Sequence, residues 1–325
     1  VYLGASQFNA RQKAANFDEE QLVQAIDLAH QHAVRVYLTL NTLVADDELS
    51  DACSLAARAY AAGIDAIIVQ DIGLIRLLRR ELPDLPLYAS TQMTIADAAG
   101  IAQAVRLGLR RVILARELSI EEIAGLSAQA AQSGLETEVF VHGALCICLS
   151  GQCLFSSLNG GRSGNRGACA QPCRLTYRLA GADGRRTAAE TAPYPWLSPR
   201  DLALFAALPD LRRAGVASLK IEGRMRGEAY VGQVVSVYRG LLDTPDEALT
   251  PERLKQAEHH LLLAFNRGGS FTDRYLTGRK TQDFLTGPYT GSHGVLLGEI
   301  NALDSRQGLI RVILPADDLA GSIPF

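Results

Sequence analysis

Short β-branched runs alternate with amphipathic stretches along the first two thirds of the chain. Strands are predicted at VYLG (1–4), VRVYLTLN (34–41), DAIIVQD (65–71), LYASTQ (87–92), RVILARE (111–117), EVFVHG (138–143) and SLKIEGR (218–224). Between them, apolar residues recur at helical spacing near 18–33, 47–62, 73–82, 95–107, 119–133 and 201–214. Asp18 stands where an N-cap belongs, and Ser119 with Glu122 three residues later has the form of a capping box. Gly63, Gly108, Gly134 and Gly215 each fall where a helix should stop before the next strand. Such β-α alternation implies parallel strands joined by right-handed crossovers.

A closed (β/α)8 barrel needs eight strands, and the pattern supplies seven, the first at the very start of the chain. The expected architecture is therefore a TIM-like barrel without its first βα unit. The competing open doubly wound sheet lacks the G-x-G-x-x-G expected after its first strand. Polar residues at the strand C-termini favour the barrel, because there they converge on one rim: Asn41, Gln70, Asp71, Gln92, Arg116, Glu117, His142, Glu222 and Arg224. Any one of them alone would read as a cap or a satisfied buried polar group. The barrel is expected over 1–245, with residues 144–200 as an insertion at the rim after EVFVHG. Two helices are predicted within 225–264, and a helical extension covers 246–286. The adjacent His259 and His260 lie in the second of these helices and are not read as ligands. From 287 the runs GVLLGEI and GLIRVIL read as the first strands of a small β-barrel-like module reaching residue 325.

Composition adds limits. With 325 residues, 48% hydrophobic and 21% charged, the chain can bury a large core. It has no apolar run of the ~18 residues a membrane helix requires and no secretory leader pattern, so a cytoplasmic protein without structural disulfides is expected. A net charge of −3 carries no global nucleic-acid signature. Residues 155–186 nevertheless hold six arginines, Arg162, Arg166, Arg174, Arg178, Arg185 and Arg186, against one acid, Asp183. They form either a solvated loop or an anion-facing surface. With 28 arginines to 4 lysines in the chain, the preference for arginine is partly compositional.

The same insertion concentrates the thiols. Cys146, Cys153, Cys169 and Cys173 read C-x6-C-x15-C-x3-C, with Cys148 between the first two and only Cys53 elsewhere. Thiols gathered this closely share a metal or a redox task. The Cys169–Cys173 spacing suits zinc and the Cys146–Cys153 spacing does not, so spacing leaves zinc and an iron–sulfur cluster open. His142 and Cys146 could form a cysteine-peptidase pair, which would leave three cysteines without a task. Neither H-E-x-x-H nor G-x-S-x-G is present.

ExFxHGALC-x4-SGQC, then GNRGxCAQPCR and SLKIEGRM, with NARxxAxNF near the start and ASTQMTI midway, resemble peptidase family U32, also called collagenase-like. SGNRGACAQPCR and FNRGGSFTDRYLTG are most similar to its large branch, associated with 23S ribosomal RNA hydroxylation, whose members extend beyond both ends of this sequence. The resemblance implies an oxygen-sensitive [4Fe–4S] cluster on Cys146, Cys153, Cys169 and Cys173, with Cys148 able to stand in for Cys146. It implies hydroxylation of an RNA base, with ribosomal RNA as the macromolecular partner and other proteins supplying electrons or oxygen. The alternatives are the peptidase of the family name and a non-catalytic cluster-bearing scaffold. On this reading Gln92, His142, Lys220, Glu222 and Arg224 surround one cavity beneath the cluster. His142 and Glu222 then serve proton transfer or orientation, and Arg162, Arg166 and Arg174 join Lys220 and Arg224 in holding substrate.

Overall fold

A computed structural model describes residues 1–12, 14, 16–180, 192–223, 225–278, 284–295, 298–304 and 309–313. Strands and helices first alternate: β1 (Tyr2–Gly4), α1 (Glu19–Gln31), β2 (Tyr37–Leu40), α2 (Leu49–Ala61), β3 (Ala66–Val69), α3 (Ile72–Glu81), β4 (Leu87–Ala89), α4 (Ala98–Arg106), β5 (Arg111–Ile113), α5 (Ile120–Gln132) and β6 (Glu136–Gly143). Among its described residues the cysteine insertion carries the short α6 (Phe155–Leu158) and two 3-10 turns, Gly164–Arg166 and Pro172–Arg174. After it come β7 (Leu202–Ala203), α7 (Leu208–Arg213), β8 (Ser218–Ile221), α8 (Glu228–Leu242), α9 (Pro251–Ala264) and α10 (Arg274–Thr277). A hairpin of β9 (Glu299–Asp304) and β10 (Leu309–Ile313) ends the described chain.

All seven expected strands form. β1 to β6 pair in sequence order, all parallel, and β8 adds to β6 in parallel. The sheet curls until its edge strands face each other. The Tyr2 hydroxyl on β1 donates to the Ile221 carbonyl at the end of β8 at 3.2 Å, and the Lys220 ammonium lies 4.0 Å from the centroid of the Tyr2 ring. The result is an α/β fold with the curled parallel sheet of a TIM-like barrel.

The helix signals behave as their chemistry requires. Asp18 and Ser119 accept the N3 amides of α1 and α5 in reciprocal capping boxes, and the four predicted stop glycines all adopt positive φ. One expected helix is shorter. The stretch 201–214 becomes α-helical only at Leu208, after a 3-10 turn over Phe205–Ala207, because Leu202 and Ala203 pair antiparallel with Gly143 and His142 at the end of β6. Pro209, which has no amide to give, is accommodated in the first turn.

Alternation along the strands divides the molecule into two interiors. Leu38, Leu40, Ile67, Val69, Leu87, Val112 and Val141 face the helices and pack with Ile26, Leu74, Ile75 and Leu78 in the main core. Inside the curl, Tyr37, Tyr88, Ile68 and Phe140 surround a buried ion network. Arg111 lies under the Tyr88 ring at 4.5 Å and pairs with Glu138 at 3.1 Å, which also pairs with Lys220 at 3.1 Å. Burial alone would raise the Glu138 carboxyl, but Lys220 and Arg111 outweigh it and hold the group below the usual carboxylate range. This network plugs the lower end of the curled sheet and leaves the C-terminal ends of the strands open.

Candidate functional site

At the C-terminal ends of the strands lies a cavity of about 180 Å³. Its floor and walls are strand-end side chains, and its roof is the cysteine insertion. Cys146, Cys153, Cys169 and Cys173 all line it, whereas Cys148 does not. Burial, and then the neighbouring Cys153 thiol, raise the pKa of Cys148. The backbone amide of Gln171 donates to the Cys169 sulfur at 3.3 Å. Burial pushes the Cys173 thiol up to about 11, although neighbouring Arg174 opposes it. Among the described residues no three His, Cys, Asp or Glu side chains are grouped closely enough to hold a metal ion.

The insertion has little regular structure of its own and is seated by specific contacts with the rim. Ser150 donates from its amide and hydroxyl to the carboxylate of Glu117, and its carbonyl accepts from the Thr94 hydroxyl at 2.6 Å. Beside it Gly151 has φ +74°, and a Cβ there would collide with the backbone carbonyl of Gln92. On the opposite wall Gly167 has φ +78° and lies against the backbone of Asn9, so a side chain would again drive the segment off the rim. The Leu43 amide donates to Asn165, and Arg166 clamps Glu48 through two contacts of 2.6 Å, holding that carboxyl down at about 2. Arg174 threads beneath the roof and donates to the Leu145 carbonyl at 2.6 Å, the Ser198 hydroxyl at 3.0 Å and the Pro199 carbonyl.

Of the expected site residues, Gln92, Lys220, Glu222 and Arg174 line the cavity with the four cysteines. The other cavity-lining cations, Arg11 and Arg116, complete its charge. Arg11 approaches Glu222 at 3.9 Å, and the Tyr2 hydroxyl donates to the other Glu222 oxygen at 3.4 Å. Arg116 bonds the Ala144 carbonyl at 3.3 Å and lies over Phe140 at 5.2 Å. Asn41, also in the lining, spans Ala10 and Ser90.

Several expected residues are placed elsewhere. His142 does not enter the cavity. A bulge in β6 lets Phe140 face Lys220 inside the curl and then pairs His142 with Ile221, which turns the imidazole outward. There it packs against Tyr230 and Tyr238 of α8 and against Phe271, and burial drives its pKa down to about 3. His142 and Cys146 consequently form no dyad. Asp71 caps α3 through the Leu74 amide, and Glu117 anchors Ser150, so both rim carboxylates serve structure. Gln70 is buried but outside the lining. Arg162 bonds Ala168 within the insertion at 2.9 Å. With Arg166 held by Glu48, the guanidinium groups of Arg162, Arg166 and Arg174 are engaged by the protein itself. Arg224, Arg185 and Arg186 lie outside the described residues.

Tyr2 and Arg11 were not singled out from the sequence. Tyr2 is inward by the same alternation that places Tyr37 inside. Arg11 belongs to the NARxxAxNF stretch, where Asn9 accepts the Arg11 amide at 2.8 Å and Asn16 donates to its carbonyl at 3.1 Å. The asparagines of that motif shape the loop that aims the arginine.

The family model described as peptidase family U32 matches residues 1–285. Over 287 residues the chain is 37% identical to the 23S rRNA 5-hydroxycytidine synthase of Escherichia coli, covering 86% of this chain and 42% of that protein. It is 35% identical over 247 residues to tRNA hydroxylation protein P1 of Bacillus subtilis, covering 75% of this chain and 58% of that protein. It is also 31% identical to a collagenase of Porphyromonas gingivalis, with 88% and 73% covered. A U32 peptidase of solved structure is 14% identical, with a TM-score of 0.42 and 69% and 84% covered. The chain thus spans less than two thirds of the length of the two RNA-hydroxylation relatives. Among its described residues no helix is long and apolar enough to cross a membrane.

Proposed function

Because the chain belongs to peptidase family U32, we propose that it is an enzyme that hydroxylates an RNA base, in large-subunit ribosomal RNA, with a [4Fe–4S] cluster held by Cys146, Cys153, Cys169 and Cys173. The observation that carries this reading is the shared cavity. Four of the six cysteines line one chamber with the strand-end residues, and the two others, Cys53 and Cys148, lie outside it. The donor set suits an iron–sulfur cluster: four thiols, with a backbone amide already directed at one sulfur. A single tetrahedral zinc is the other metal that four thiols suit. When bound, the cluster supplies one-electron chemistry, and hydroxylation also requires an oxygen donor from outside the chain.

The chain's own residues bind and orient. Arg11 and Lys220 give the cavity floor positive charge beside Glu222. Glu222, held by Tyr2 and faced by Arg11, is the carboxylate placed to accept a proton from a substrate in the cavity. His142, uncharged and packed in aromatic rings, fixes α8 against β6. Arg166 and Arg174 hold the roof. The peptidase reading loses its thiol–imidazole pair, since His142 faces away from the chamber that Cys146 lines.

The test is mass spectrometry of ribosomal RNA nucleosides from cells lacking the gene, beside a gelatin cleavage assay on the purified protein. A missing hydroxyl mark, restored by wild type and not by Cys169→Ala, is expected. Unchanged RNA together with gelatin cleavage that survives Cys169→Ala would establish the peptidase instead, and absence of both effects would leave the scaffold.

A further inference from the structure

Thiols that bind metal give up their protons, so four of them bring negative charge into the partly buried chamber. Charge of that kind is costly to hold away from water unless a cation is built in beside it. Arg174 has the place and the chemistry for this. It follows Cys173 directly and lines the chamber with all four roof thiols. Its guanidinium donates to the Leu145 carbonyl at 2.6 Å, the Ser198 hydroxyl at 3.0 Å and the Pro199 carbonyl, and every one of these acceptors is neutral.

The carboxylates nearby are spoken for. Asp201 is shared between Arg226 at 2.9 Å and Arg267 at 3.0 Å, and Arg166 of the same insertion takes Glu48 at 2.6 Å. Arg174 therefore carries a charge that no carboxylate contacts. Burial and then the charge of Arg267 hold it below the usual guanidinium range, while Cys173, Asp201 and Cys146 act in the opposite sense. Two of the four roof thiols thus lie within its electrostatic reach. The same side chain also joins their segments. Leu145 precedes Cys146 and Arg174 follows Cys173, so one hydrogen bond spans 29 residues and ties the first thiol to the last. A lysine would keep the charge and lose the planar fork that serves three acceptors.

Resting on the cluster reading, we propose that Arg174 is a positioning residue for the iron–sulfur cluster: its built-in counter-cation and the clamp that holds Cys146 and Cys173 in place. Its two contributions are separable. Positive charge beside a cluster favours the more reduced, more negative form and so raises the reduction potential. The hydrogen bonds to Leu145 and to residues 198–199 act on ligand geometry, and thus on how firmly metal is held.

The test compares wild type, Arg174→Gln and Arg174→Lys, each purified without oxygen. Iron affinity is read by competition with a chelator, and the midpoint potential by a redox titration followed by electron paramagnetic resonance. Arg174→Gln should bind iron about 10–100-fold more weakly, the usual cost of losing a group that orients metal ligands, and its potential should fall. Arg174→Lys should recover most of the potential while its iron binding stays weak. An unchanged potential in Arg174→Gln, or an equal fall in Arg174→Lys, would overturn the counter-cation. Iron held by Arg174→Gln as firmly as by wild type would overturn the clamp. Should a variant take up no cluster, cobalt(II) titrated into the metal-free chains and followed by its thiolate absorption band decides the same point. Equal cobalt affinity in all three chains would overturn the clamp there too. Wild type that holds neither iron nor sulfide would instead overturn the cluster reading on which the proposal rests.

Discussion

Leu38 in the sheet and Gly151 in the cysteine insertion stand for two ways of building the same chamber. Leu38 is fully buried on the helix side of β2, surrounded by apolar side chains, and contributes by burial that is tolerant of direction. Gly151 contributes by what it lacks, since its backbone lies against Gln92 where no side chain fits. The wall is held by summed apolar area, so damage at one point is shared. The insertion is held by a few directed contacts, Ser150–Glu117, Arg166–Glu48 and Arg174 to three acceptors, so damage is local. On the proposed function, stability resides mainly in the first and activity mainly in the second.

Gly151→Ala should separate the two most sharply. The added methyl forces the segment off Gln92, and displacement of this size at a reacting centre costs roughly 100-fold in rate. RNA hydroxylation measured by nucleoside mass spectrometry should fall by that order while the main urea transition stays near wild type. Coupled loss of both would show that the insertion and wall are one cooperative unit. Leu38→Ala should do the reverse, lowering unfolding free energy by about 2–5 kcal/mol through transfer and cavity costs. The reporter is the midpoint of urea unfolding followed by far-ultraviolet circular dichroism.

His142 belongs to the wall despite its place four residues before the first roof cysteine, and pH reveals it. Its folded pKa of about 3 lies below the ordinary value of 6.5, so the unfolded chain binds the extra proton first. Stability from the neutral imidazole is therefore complete above about pH 6.5 and falls with pH between about 6.5 and 3. Between pH 7.5 and pH 5 the loss is about 2 kcal/mol. His142→Phe should flatten this part of the profile in urea titrations at each pH, and an unchanged slope would move His142 out of the buried wall. The smallest effect is expected for Arg166→Ala. Its ion pair with Glu48 lies at the surface, where such pairs add little. Thermal unfolding should hardly move, while limited proteolysis within 155–175 should quicken.

The wall was legible because its instructions are periodic. Alternation placed all seven parallel strands, and Asp18, Ser119 and the stop glycines marked helix ends by local chemistry. The tie between cysteines and rim was legible as clustering, since thiols, glycines and arginines crowd one stretch. Facing directions inside irregular backbone were not. The bulge between Phe140 and His142 reverses the side on which the imidazole emerges, and no residue in EVFVHG announces it. The arginines gathered beside the cysteines looked free by charge, yet Arg174 turns inward to three oxygen acceptors and Arg166 is taken by Glu48 at the surface, all of them remote in sequence. Arg11 was hidden for the opposite reason. It stands alone in a loop whose shape is set by Asn9 and Asn16, and only the curled sheet brings it to Glu222.

The central claim is that four thiols over the strand ends hold an iron–sulfur cluster. Iron, zinc and acid-labile sulfide should be measured on protein purified without oxygen, as wild type and as Cys146→Ala, Cys148→Ala, Cys153→Ala, Cys169→Ala and Cys173→Ala. The account predicts about four irons and four sulfides per chain, lost in every variant except Cys148→Ala. Stoichiometric zinc without sulfide, or a full cluster in Cys146→Ala that disappears in Cys148→Ala, would contradict it.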